Sequence, residues 1–119
     1  MKATQRYRET RLRAASPGQL VCALFDQAIV QAERARIQSN KEEQKKWTVA
    51  AIQTLTELEA GLEEQDNPLL FQQLQHTYGL IGDHLVFAVQ SGEETPFLES
   101  IEALQSLRSE WARIYQLPS

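Results

Sequence analysis

A helix-start signal followed by an apolar stripe recurs along this chain, and it constrains the fold more than any other feature. The hydroxyl of Ser16 can accept a hydrogen bond from a free backbone N–H of the first turn. Pro17 suits the first helical position, where its missing N–H costs nothing, and Gln19 completes a capping box. Similar starts follow at Asn40 with Glu43, at Asn67-Pro68 and at Thr95-Pro96. The sequence therefore predicts four helices.

Each predicted helix carries one apolar stripe at helical spacing. The first helix, about residues 17–38, has Leu20, Val21, Leu24, Phe25, Ala28, Ala32 and Ala35. The second, about residues 40–64, has Trp47, Ala51, Leu55, Leu58 and Leu62. The third, about residues 68–90, has Leu70, Leu74, Tyr78, Ile81, Leu85 and Ala88. The fourth has Phe97, Ile101, Leu104, Leu107, Trp111 and Ile114.

The helix lengths and the short links between them predict the architecture. A helix of about twenty residues is roughly 30 Å long, and short links force consecutive helices to run antiparallel. A chain of 119 residues with 42% hydrophobic residues is sufficient for one domain with a core. The predicted fold class is all-α: an antiparallel four-helix bundle at residues 16–117, preceded by a flexible N-terminal arm at residues 1–15.

Charge divides the chain into the same two parts. The arm holds five basic residues against one acidic residue, a net charge of +4, whereas the remainder holds seven against fifteen, a net charge of −8. Such an arm could fold back onto its own body or reach an acidic partner. Nucleic-acid binding through phosphates is the weaker alternative, and we predict no nucleic-acid partner.

The sequence contains no recognisable catalytic, cofactor or metal motif. A di-iron bundle needs two Glu-x-x-His pairs, but neither His76 nor His84 follows a glutamate by three residues. No Cys-x-x-Cys pair and no glycine-rich phosphate loop occurs. The lone Cys22 is best interpreted as a small apolar residue near a helix face. We therefore predict a protein that is not an enzyme and has no cofactor and no metal.

The lengths of the apolar segments in the sequence indicate where the protein is located. The longest unbroken apolar run, residues 20–25, is far shorter than a membrane span. The positive N-terminus is not followed by the apolar stretch of a secretory signal. A single cysteine agrees with a reducing compartment. The expected location is the cytoplasm, without membrane insertion.

The third helix has large apolar residues away from its core stripe. Leu69, Leu80 and Phe87 fall on its outer side, where an ordinary helix would be polar. Gly79 and Gly82 lie between the two faces and weaken the helix by roughly 0.5–1 kcal/mol each relative to alanine. Close approach of another backbone would offset that cost.

The second helix shows a milder form of the same pattern, with Val49 and Ile52 shifted off its stripe. Singly exposed apolar residues need no explanation, and the arm could also cover them through Tyr7 and Leu12. The sharper hypothesis is a groove for an amphipathic helix of another protein. The predicted groove consists of Val49, Ile52, Leu69, Leu80 and Phe87, with Tyr7 and Leu12 as arm contacts.

Four segments of the chain, in this order and spacing, match the sequence pattern of one known protein family. Tyr7 is similar to the family's N-terminal tyrosine. The most specific motif is matched by Ala15-Ser16-Pro17 with Leu20-Val21, Leu24-Phe25-Asp26 and Ala28-Ile29. The third-helix pattern is matched by Leu74, Tyr78, Leu85 and Ala88, and the closing helix by Leu104, Leu107-Arg108 and Trp111. Together these segments resemble the FliS family, the cytosolic export chaperones of flagellin, and the resemblance covers nearly the whole chain.

Some positions depart from the family pattern. Gln27 stands where the family usually has glycine, and Phe25 where it often has tyrosine. Gly79 and Gly82 occupy a region that the family commonly makes aromatic, and Trp47 lies near the start of the second helix. These differences are compatible with a divergent member or with a paralogue that has changed its client.

The resemblance implies a fold of antiparallel helices and a chaperone function. The expected client is the C-terminal segment of flagellin, disordered before assembly and held as helices over the bundle. This would prevent premature polymerisation and deliver the subunit to a component of the flagellar type III export gate. The segment around Tyr7 would act as a mobile cap and docking element. A co-chaperone is a further possible partner, and the chaperone would be a monomer or weak homodimer. The alternative is a helical adaptor that self-associates or binds another amphipathic helix.

Overall fold

The computed structural model describes residues 17–61 and 68–116, and it forms four α-helices there. They are α1 (Pro17–Arg36), α2 (Lys41–Ala60), α3 (Pro68–Ser91) and α4 (Thr95–Ile114). Consecutive helices pack side by side, and α4 also packs against α1. Each helix therefore has two principal neighbours. This arrangement confirms the predicted all-α helical bundle.

The core is built from the predicted stripes. Its largest fully buried apolar side chains are Phe25, Phe97, Leu85 and Leu104, one or two from each of three helices. The remaining helix, α2, contributes Ala51, Leu55 and Leu58, which are also buried. Partly buried stripe members such as Val21, Leu24, Trp47 and Leu107 pack against this core. Leu62 and the side chain of Leu70 lie outside the described residues.

Capping residues explain where α2 begins and where α3 ends. The side chain of Asn40 accepts hydrogen bonds from the backbone N–H groups of Glu42 and Glu43, as a helix N-cap should. After α3, Gly92 has a φ of +73°, the left-handed conformation that commonly ends a helix. Its N–H donates to the carbonyl of Ala88. These two predicted capping residues are confirmed, whereas the predicted N-caps Ser16 and Asn67 lie outside the described residues.

The predicted helix ends need small corrections. The first helix was expected to reach residue 38, but α1 ends at Arg36 and a turn follows. The second was expected to reach residue 64, but α2 ends at Ala60 because Gly61 takes the C-cap position. Glycine weakens a helix at this point and suits the turn that follows.

The predicted N-cap of the fourth helix, Thr95, is wrong by one residue. Glu94 precedes the helix with αR backbone angles, and Thr95 is already helical. Pro96 then occupies the second helical position, where its missing N–H is again harmless because the first four N–H groups of a helix have no intrahelical partner. The N–H groups of Phe97 and Leu98 both donate to the Glu94 carbonyl.

The predicted core position of Ile114 is also wrong, since this side chain is exposed. A helix turns by about 100° per residue, so the position four after Trp111 lies nearer the stripe than the position three after it. That position is Tyr115, whose ring stacks on Trp111 with centroids 5.6 Å apart. Tyr115 also packs over Gly18, where a Cβ atom would lie only 2.5 Å from its ring.

Polar contacts join α1 to two neighbours. The Gln27 amide donates to Thr54 Oγ1 at 3.0 Å, and the Thr54 hydroxyl donates to Gln31 Oε1 at 2.7 Å, which links α1 to α2. Arg108 of α4 pairs with Asp26 of α1 at 2.9 Å. Gln27, one of the departures from the family pattern, therefore has a structural partner in this chain.

Candidate functional site

An open recess lies between α2 and α3, with a volume of about 240 Å³. Its lining consists of Ile52, Leu55, Thr56, Glu59, Tyr78, Gly79, Gly82, Asp83 and Val86. Leu55 and Tyr78 are buried and form its floor, whereas Gly79, Asp83 and Val86 are exposed at its rim. The recess is therefore an apolar depression in the bundle surface, with its polar groups at the edge.

Two glycines of α3, Gly79 and Gly82, line this depression. A Cβ atom added at Gly79 or Gly82 would meet nothing within 4 Å among the described residues. The described residues of this chain therefore do not supply the close approach of another backbone that the sequence predicts, and an approach by a partner stays a prediction. The two residues face open space, so their cost in helix stability is not offset by contacts that the structure describes.

Tyr78 connects the recess to the core. Its side chain is buried, and its ring meets Phe25 edge-on with centroids 6.1 Å apart. Its hydroxyl has no hydrogen-bond partner of good geometry among the described residues. Burial raises the pKa of Tyr78 to about 12, while the nearby Trp111 indole acts in the opposite direction. Tyr78 therefore remains neutral at physiological pH and presents an apolar ring surface.

The charged groups at the recess are both acidic. Glu59 lies on the α2 side and Asp83 on the α3 side. Neither carboxylate forms an ion pair within residues 17–61 and 68–116, whereas Asp26 and Glu94 pair with arginines of other elements. The recess thus combines an apolar floor with negative charge that has no ion-pair partner in the described structure.

A second feature, the outer stripe of α3, consists of Leu69, Leu80 and Phe87. Their side chains are 66%, 55% and 51% exposed. Phe87 stacks on the His84 ring with centroids 6.4 Å apart, and His84 Nε2 lies 2.9 Å from Glu99 Oε1 of α4. The stripe therefore lies on the open side of α3 and extends towards α4.

The predicted groove residues divide between these two features. Ile52 lines the recess, whereas the three outer-stripe residues lie outside its lining. Val49 is exposed on α2 and also lies outside the lining. Tyr7 and Leu12 fall outside the described residues. The assignment of these residues to a binding surface stays a prediction.

Sequence reasoning missed most of the recess lining. Leu55 and Tyr78 were assigned to the core, and they are core residues whose outer sides form the floor. The available signal was the spacing: Asp83 follows Gly79 by four residues, and Val86 follows Gly82 by four. Residues four apart share a helix face, so the glycines, an acid and an apolar residue could have been grouped together.

Metal ligation and thiol chemistry find no support among the described residues. They contain no group of three or more His, Cys, Asp or Glu side chains arranged to hold a metal ion. Cys22 is buried, and burial raises the pKa of its thiol. None of the four described helices combines the length and hydropathy needed to cross a membrane. The recess and the outer stripe both present apolar side chains at the surface of α3.

Comparison with known proteins identifies the family. The family model described as "Flagellar protein FliS" matches residues 1–118. Comparison with curated proteins and with solved structures gave no match. The family match covers almost the whole chain, and it agrees with the helical bundle and with the resemblance of the sequence motifs. The chain therefore belongs to the FliS family, a family of flagellar export chaperones.

Proposed function

We propose that this protein holds the disordered C-terminal segment of flagellin in the cytoplasm, prevents its premature polymerisation and delivers it to the flagellar export gate. Membership of the FliS family supports this choice of client. The observation that carries the proposal is the apolar surface of α3, where Leu69, Leu80 and Phe87 are each at least half exposed. Repeated large apolar side chains on one exposed helix face are typical of an interaction surface.

The physical basis is coupled folding and binding. A disordered segment lacks its own core, and it can bury apolar side chains by forming helices over the bundle. The entropy lost on ordering offsets part of the contact energy, so binding over a large surface can remain reversible. Reversibility suits a chaperone that must release its client for export.

The direct test is calorimetric titration of the full chain with the C-terminal segment of flagellin from the same organism. A complex with a large negative heat-capacity change would support a client that folds onto apolar surface. Absence of a complex, at concentrations where both proteins remain monomeric, would contradict the proposed client.

Leu80→Asp tests whether the outer stripe carries the binding. A buried, unpaired carboxylate is costly at an apolar interface, so this change should abolish measurable client binding. Because Leu80 is more than half exposed, helical content and melting should change little. Val30→Asp is the matched control, since Val30 is similarly exposed but lies on α1. If both variants bind equally well, the outer stripe is not the binding surface.

Self-association is the second candidate function, since the outer stripe could pair with a copy of itself. A helical adaptor of this kind would show a sedimentation coefficient that rises with protein concentration, and Leu80→Asp would remove the rise. A chaperone should remain a monomer or a weak homodimer over the same range. A stable oligomer that does not bind the flagellin segment would favour the adaptor over the chaperone. This holds equally for a chaperone that works with a co-chaperone.

A further inference from the structure

We propose that the recess between α2 and α3 is a socket that selects its client: it accepts one bulky apolar side chain of a helical segment that also carries a lysine or arginine beside it. This inference rests on the proposed chaperone function and adds the chemistry that the site recognises. It assigns a specificity role to Gly79, Gly82, Glu59 and Asp83, which the predicted groove did not include.

Shape supports the first half of the proposal. The recess has a volume of about 240 Å³, with an apolar floor of Leu55 and Tyr78 and with Ile52 and Val86 at its sides. An open apolar depression of this kind suits one large side chain of a partner better than a flat contact. Tyr78 lines the recess, and its ring packs against Phe25 in the core with centroids 6.1 Å apart.

The space above the two glycines of α3 is not filled by any described residue. Glycine is unfavourable inside a helix, and here two occur three residues apart on the side that faces the recess. Alanine would fit at both positions, because an added Cβ meets no described atom within 4 Å. Packing within the described chain therefore does not require glycine. A partner side chain that enters the space above the two residues would require it.

Charge supports the second half. Glu59 and Asp83 stand on opposite sides of the recess without an ion-pair partner among the described residues. Two carboxylates beside an apolar socket favour a cationic neighbour on the incoming helix and disfavour an acidic one. The occupant is accordingly an amphipathic helix with a basic residue next to its bulky apolar anchor.

The steric test uses the double variant Gly79→Ala with Gly82→Ala. Its affinity for the C-terminal segment of flagellin, measured by calorimetry, should fall about tenfold or more because two methyl groups occupy the entrance of the socket. Its melting temperature should stay the same or rise. Gly61→Ala is the control: its backbone is αR, the added Cβ would have ordinary contacts at 3.5 Å, and it lies outside the lining.

The electrostatic test uses Glu59→Gln with Asp83→Asn, and Glu110→Gln on α4 as the control. At low salt the double variant should bind about fivefold more weakly than wild type, and its affinity should depend less on salt concentration. Glu110→Gln should retain the wild-type affinity. An unchanged affinity and an unchanged salt dependence in the double variant would overturn the charge assignment.

The outcomes separate this inference from the proposed function. If wild type binds the flagellin segment and the alanine variant binds it equally well, the socket is wrong and the chaperone function stands. A higher affinity in the alanine variant would also overturn the socket, and is expected if the chain's own basic residues 1–15 occupy the recess. If wild type does not bind the segment at all, the proposed function and the socket fail together.

Discussion

Small residues occur both on α1 and on α3, but they have opposite surroundings. Ala28, Ala32 and Ala35 of α1 are completely buried in the core. Gly79 and Gly82 of α3 border open space. The seam between α1 and α2 is also joined by hydrogen bonds through Thr54, whereas the seam between α2 and α3 opens into the recess. A small residue therefore indicates close packing only where a neighbour is present to fill the space.

The largest expected effect comes from enlarging a small residue in the closed region. Ala32→Leu should lower the free energy of unfolding by about 1–3 kcal/mol, because a fully buried site has no room for the added atoms. Gly82→Leu places the same side chain beside the open recess and should cost much less. Urea denaturation of the two variants measures the difference. Equal losses would mean that the two regions do not differ in packing.

The next effect concerns Tyr78, which lies beneath the recess. Its pKa is raised to about 12 in the folded protein, against an ordinary value near 10. The unfolded chain therefore loses this proton first, and the folded state should lose about 2 kcal/mol of stability as the pH rises from about 10 to about 12. Stability measured against pH should show this decline in wild type.

Tyr78→Phe is the control for that titration, since it removes the ionising group and keeps the ring. At neutral pH it should be about as stable as wild type, because the buried hydroxyl has no hydrogen-bond partner of good geometry among the described residues. Its additional alkaline decline between pH 10 and 12 should disappear. A decline of the same size in this variant would assign the effect to other groups.

A smaller effect is expected for Thr54→Val, which tests the hydrogen bonds of the closed seam. The change removes a hydroxyl that accepts from Gln27 and donates to Gln31. The loss should be about 1 kcal/mol, since both amides are only partly buried and can turn towards water. Thermal and urea unfolding measure it, with Thr56→Val on the exposed side of α2 as the comparison. No difference between the two would show that the hydrogen bonds contribute little.

The smallest effect has the opposite sign. Gly79→Ala should raise the free energy of unfolding by roughly 0.5–1 kcal/mol, because alanine has the higher helix propensity and the position has room for it. The measurement is urea unfolding of the free protein. A destabilised variant would indicate that the space above Gly79 is occupied in the free protein.

The sequence predicted the stripes well because burial on one face of a helix follows directly from helical spacing. Phe25, Leu85 and Leu104 all lie in the core as expected. The errors arose at helix ends: the first two helices end earlier than expected, Thr95 lies inside α4, and Ile114 is exposed. At an end, a shift of one residue changes the role of a cap or the face of a side chain.

The site was predictable only in part. Spacing shows that Leu80 and Phe87 lie off the core stripe, and both are exposed. It does not show that Tyr78 has one side in the core and another in a recess, since that depends on the separation of α2 and α3. It also gave no signal that the polar Thr54 would be buried between α1 and α2. These properties depend on how two helices pack together, whereas an apolar stripe gives information about a single helix only.

The contact between Gly18 and Tyr115 has a consequence for how the bundle assembles. Consecutive helices are joined by short links and can meet early in folding, because little chain must be ordered to bring them together. Gly18 and Tyr115 are almost a hundred residues apart in the sequence, so their contact closes a long loop. We expect the α1–α4 seam, which also holds the Asp26–Arg108 pair, to form last and to separate first. The four helix contacts of the bundle form a closed cycle, and the α1–α4 contact is the one that completes it last.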